Sequence, residues 1–159
     1  MNIHPIFVHF PVALLTIYSL CELIRFKKLN STREWFYIKA LLVILGVGGA
    51  AVAIVTGSMA EEFHRDVPQL VHMHELFALT TFLIFGILSL NYTTLVLEDL
   101  FSKKMSSLFG GLWTFLLKIR KAVFSSPLLV LFVLTGLLIL TITGALGGSI
   151  SYGPDNDPM

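Results

Sequence analysis

His4 and His9 stand in the stretch HPIFVHFP, residues 4–11, and His72 and His74 stand in HMHE, residues 72–75. A neutral imidazole can ligate haem iron, zinc, copper or non-haem iron. An ionisable side chain inside an apolar run is costly, so such residues are functional candidates by default. Spacing narrows which rings can meet. Side chains at i+4 and i+7 share a helix face with residue i. Ala13 and Thr16 lie below His9, and Ala78 and Thr81 lie below His74. Small and weakly polar residues mark helix–helix contacts in membranes, so the pattern predicts that His9 and His74 both turn inward. His4 lies about 140° around the wheel from His9, and His72 about 200° from His74. Both are therefore less suited to the same point. Glu75, at i+3 from His72, is within reach to orient that ring.

The elements that must position these rings are apolar helices. Of 159 residues, 55% are hydrophobic and 13% charged, against roughly 25% charged in a soluble domain. A helix needs roughly 20 mostly apolar residues to cross the hydrocarbon. Four stretches qualify: Pro5–Ile24, Phe36–Gly57, Leu70–Leu97 and Pro127–Leu146. A β-barrel would show short alternating segments instead. The reading is all-α: an integral membrane four-helix bundle forming a single domain over residues 1–159. The first run has no basic residue before it and is longer than a signal core, so it is expected to stay as a helix. Cys21 is the only cysteine; it excludes an internal disulfide and a CxxCH haem attachment and reads as a packing residue.

Basic residues partition sharply. Arg25, Lys27, Lys28, Arg33 and Lys39 flank the first connection, and Lys103, Lys104, Lys118, Arg120 and Lys121 occupy the third. The second connection has Arg65 alone, and the tail YGPDNDPM has none. The positive-inside rule then makes the first and third connections cytoplasmic and both termini extracytoplasmic, the expected setting being the bacterial inner (plasma) membrane. From Leu108 to Ser125 a wheel gathers Leu108, Phe109, Leu112, Trp113, Phe115, Leu116, Ile119 and Val123 on one arc, with Gly110, Gly111, Thr114, Lys118 and Lys121 on the other. That pattern predicts an amphipathic interfacial helix between spans 3 and 4. It serves to dock a partner or anionic lipid, or simply tethers the two spans.

With this topology all five histidines fall near the outer surface. Two axial imidazoles on facing helices over small residues describe a b-type haem site, and bundle interiors hold cofactors in this way. His9 and His74 are the candidate iron ligands, with His4 and His72 nearby. Arg65, His64 and Tyr152 are placed to meet propionates. Gly46, Gly49, Ala50, Ala53 and Gly57 on span 2, and Gly136, Thr143, Gly144 and Gly147 on span 4, either allow close helix packing or make room for a flat ligand. The same histidines with Glu75 suit zinc, copper or non-haem iron. Or they are interfacial residues bonded to carbonyls freed by Pro5 and Pro11.

HPIFVHFPVALL, a glycine-rich second span ending in TG, HMHELFAL opening the third, and the closing GALGGSISYG together resemble the widespread bacterial four-span membrane domain of unknown function that begins HPxxVHFPxAL. The likeness covers most of the chain. Carried over residue by residue, the motif points to His4, His9, Pro11 and His74. The resemblance implies company with cytochrome-containing systems, which favours haem, and implies no settled activity. The long basic third connection departs from the shorter family pattern, so its helix inherits no role.

The expected function is electron transfer through one b haem at the extracytoplasmic surface, exchanging electrons with a quinone, a periplasmic cytochrome or a larger membrane complex. The alternatives are a non-enzymatic structural or assembly subunit and a His-based metal-binding membrane protein. A net charge of +1 suggests no nucleic acid among the partners, and no nucleophile–base pair or phosphate loop indicates independent catalysis. Transport is disfavoured because the inner half offers little polar beyond Asn91, Glu22 and Cys21.

Overall fold

The helices begin and end where side chains can replace missing backbone partners. In the computed structural model, which describes residues 4–24, 26–60, 68–124 and 127–152, α1 runs His4–Leu23 and the short α2 runs Lys27–Asn30. α3 runs Arg33–Ala60, α4 Pro68–Phe124 and α5 Leu128–Tyr152. The Asn30 amide donates to the free carbonyl of Ile24, 3.0 Å away. Thr32 accepts the Phe36 amide and opens α3, as an N-cap residue does. No strand occurs among the described residues.

Three stretches are long and apolar enough to cross a bilayer: Arg33–Ser58, Pro68–Phe101 and Leu128–Ile150. The described apolar part of α1, Val8–Leu23, is shorter. The expected third span and the residues of the expected surface helix both lie within α4, a run of 57 residues in which two helices meet across a kink. Its backbone leaves helical geometry at Phe101 (φ −134°, ψ 22°) and at Gly110 (φ 41°, ψ −114°). Only glycine adopts the second conformation readily.

α1 packs on α3, α3 on α4, α4 on α5, and α5 on α1. The ring leaves α1 and α4 on one diagonal. Neighbours run antiparallel: Leu15 meets Gly46, Tyr37 meets Asp99, and His74 meets Thr143. Glycine sets the closest approaches. A Cβ built on Gly46 would lie 2.6 Å from Leu15 Cδ2, and one on Gly49 would lie 3.3 Å from Pro11 Cβ. One on Gly136 would lie 3.1 Å from Phe85. Of the two uses foreseen for the small-residue stripes, close packing therefore holds at Gly46, Gly49, Gly136 and Gly147, whereas Gly144 has open space around its Cβ position.

Tyr18 occupies the axis of the bundle, its ring edge-on to Phe85 and to Tyr92 with centroids 6.2 and 5.8 Å away. Leu15, Val43, Leu88 and Val133 complete the sealed core around it. Large apolar side chains such as Leu41, Leu83 and Leu138 project outward, as lipid-facing surfaces require. Hydroxyls inside the spans are satisfied within their own helices: Thr80, Thr93, Thr141 and Thr143 each donate to the carbonyl four residues back, a bond that spares lipid an unpaired polar group.

Candidate functional site

At the histidine end, His74 is half-buried on α4. It shares the inward face of α4 with Thr81, Phe85 and Leu88, all buried, and its ring lies against α5. A Cβ on Gly147 would come within 3.2 Å of His74 Cε1, so the absence of a side chain there admits the imidazole. His74 Nδ1 is 3.1 Å from the Thr143 carbonyl oxygen. A carbonyl only accepts, so this bond assigns the proton to Nδ1 and the free lone pair to Nε2. Thr143 Oγ already donates to the Ile139 carbonyl at 2.8 Å. Its 3.2 Å contact with Thr81 Oγ is therefore one in which Thr81 donates. The result is a small polar seam, His74–Thr143–Thr81, between α4 and α5.

His9 departs from expectation. It lies on the exposed side of α1 with Ala13 and Leu20, whereas Pro11, Leu15, Tyr18 and Glu22 form the buried side. His9 precedes Pro11 by two residues, a rotation of roughly 200°. The face that packs is the one meeting Gly46 and Gly49 of α3, and closeness of backbone outweighs the small size of Ala13 and Thr16. His72 is exposed as well. The side chains of His4 and Tyr152, and the segment holding His64 and Arg65, lie outside the described residues. His9 is thus exposed on α1, while His74 packs against Gly147 and Thr143 of α5. Among the described residues no three His, Cys, Asp or Glu side chains come together as a metal site.

The opposite half of the bundle holds a cluster that the sequence reading missed. Glu22 of α1 and Lys39 of α3, both buried, form an ion pair with Oε1 and Nζ 3.1 Å apart. The Tyr92 hydroxyl, from α4, donates to Glu22 Oε2 at 2.5 Å. The ammonium of Lys39 also lies 5.9 Å from the centroid of the Tyr92 ring, within cation–π range. Tyr18 stands beside them, fully buried, its ring edge-on to that of Tyr92. Three helices converge on one carboxylate. The earlier objection that this half offers little polar beyond Asn91, Glu22 and Cys21 is corrected by Lys39, Tyr18 and Tyr92. Lys39 reads in sequence as a flank of the basic connection. The available signal was antiparallel register: Glu22–Lys39 and Leu15–Gly46 are both centred between Asn30 and Ser31.

Nearer the end of the bundle, Asp99 accepts hydrogen bonds from Arg33 and Tyr37. Arg33 and Asp99 are exposed, so solvent screens the pair and it adds little to stability. Their effect is to tie the start of α3 to the far end of the α4 span.

No curated protein and no solved structure matches the chain. A family profile does match, along residues 1–154, and it covers α1, α3, α4, α5 and both clusters just described. The chain belongs to the family described as "Predicted membrane protein (DUF2231)".

Proposed function

We propose that this protein is a four-span inner-membrane protein acting as a non-enzymatic structural or assembly subunit of a membrane complex. In this reading α1 crosses the bilayer beside the three longer spans, because it packs along both α3 and α5. The basic connections face the cytoplasm and both termini face outward. The observation that carries the reading is the filled interior: Leu15, Tyr18, Phe85, Leu88 and Tyr92 close the axis between α1 and α4. The one buried charge pair there is neutralised within the protein.

A second reading keeps a cofactor at His74. It rests on the Nδ1 bond to Thr143, which holds the ring in the tautomer whose Nε2 can accept a metal or a ligand proton. Haem, with a quinone or periplasmic cytochrome as redox partner, belongs to this reading alone. A visible spectrum of the protein purified from haem-replete cells separates the two. The subunit reading expects no Soret band from correctly folded protein. A Soret band with a reducible α-band, lost in His74→Ala, would replace it with the cofactor reading.

A further inference from the structure

Beyond the break at Gly110, α4 has three distinct faces, one of them buried. Trp113 is 5% exposed and so is packed against protein, whereas Leu112 and Phe115 are 58% and 59% exposed. Thr114 and Lys118 are exposed on the third side. The helix is thus docked by one aromatic anchor while a separate apolar stripe stays uncovered. Charge accompanies that stripe. Lys103, Lys104, Lys118, Arg120 and Lys121 fall between Asp99 and Asp155, and no acidic residue lies in that interval to compensate them.

We infer that this last part of α4, residues 111–124, is a binding surface for anionic phospholipid headgroups, with Leu112 and Phe115 seated among the acyl chains. An exposed apolar stripe beside the exposed Lys118, in a segment of net positive charge, complements a negatively charged leaflet, and basic residues near such a surface each strengthen attraction to it. Continuity favours lipid over a protein partner. The helix follows the α4 span after nine residues, within the same α4, so it lies toward the leaflet where that span ends, and its uncovered side chains are of the same kind as those on the lipid-facing spans. The inference rests on the reading that this end of the bundle faces the cytoplasmic leaflet.

The test uses the full-length protein with Cys21→Ser and Phe115→Cys, labelled at 115 with an environment-sensitive fluorophore. It is reconstituted in phosphatidylcholine nanodiscs containing a minor fraction of phosphatidylglycerol. Nitroxide groups are carried in turn by one lipid or the other. The expected result is an apolar emission spectrum, with nitroxide phosphatidylglycerol quenching about 3-fold more strongly than an equal amount of nitroxide phosphatidylcholine. Lys118→Gln with Lys121→Gln should equalise the two, and Lys118→Arg with Lys121→Arg should restore the difference. Equal quenching in the unmodified sequence, or a preference that survives loss of the lysines, overturns the headgroup assignment while leaving the helix at the surface. A water-like emission spectrum overturns the surface location itself, and the inference with it.

Discussion

Glu22 is the residue on which most of the interior depends, since α1, α3 and α4 all reach its carboxylate. Removing one partner of a buried pair strands the other charge, at about 3–5 kcal/mol, whereas replacing both with apolar groups of similar volume is often neutral or better. Glu22→Gln and Lys39→Met should each lower the thermal unfolding midpoint in detergent markedly. The combination Glu22→Leu with Lys39→Met should recover most of that loss. If the double variant is as unstable as the singles, the pair is not the reason for their instability. His74 illustrates a different economy, because its partner is a backbone carbonyl rather than a charge. Substitution there loses one hydrogen bond of roughly 1 kcal/mol and leaves the helices otherwise packed.

Between elements, the α1–α3 contact sets the geometry of everything else. Gly46 has no room for a side chain, since Leu15 is itself buried and cannot swing away. Gly46→Val should cost about 1–3 kcal/mol by overpacking, visible as a lowered unfolding midpoint, while the same change at Gly48, with open space around it, should be nearly silent. This contact also explains what could and could not be read from the chain. The long apolar runs and the stripe through His74, Ala78 and Thr81 follow from composition and period. The facing of α1 does not, because Ala13 and Thr16 offer one small-residue face and Pro11, Leu15 and Tyr18 offer a bulkier one that wins. A helix–helix contact is chosen by both partners, and the deciding partner was a glycine pair on α3. Lys39 was hidden for a similar reason: a lysine near a span end usually reaches for water, and only the register of the hairpin turns it toward Glu22.

The whole molecule sorts its polar groups by end. The His74 seam and exposed His9 and His72 lie at one, and the Glu22–Lys39 pair, Arg33, Asp99 and the basic helix lie toward the other. Positive-inside orientation then makes a direct expectation for labelling in a Cys21→Ser background. A membrane-impermeant maleimide added to intact spheroplasts should modify His72→Cys and spare Ser31→Cys, which should react once the membrane is permeabilised. The reverse pattern would turn the bundle over and move the basic helix to the outer leaflet.

The pairing of Glu22 with Lys39 has a consequence for how the protein is made. An ammonium buried in an apolar helix is costly without a partner, and Lys39, the seventh residue of α3, is buried. Its counter-ion is supplied by the segment translated just before it. α1 and α3 therefore carry between them a charge pair whose two members both precede α4 and α5 in the chain.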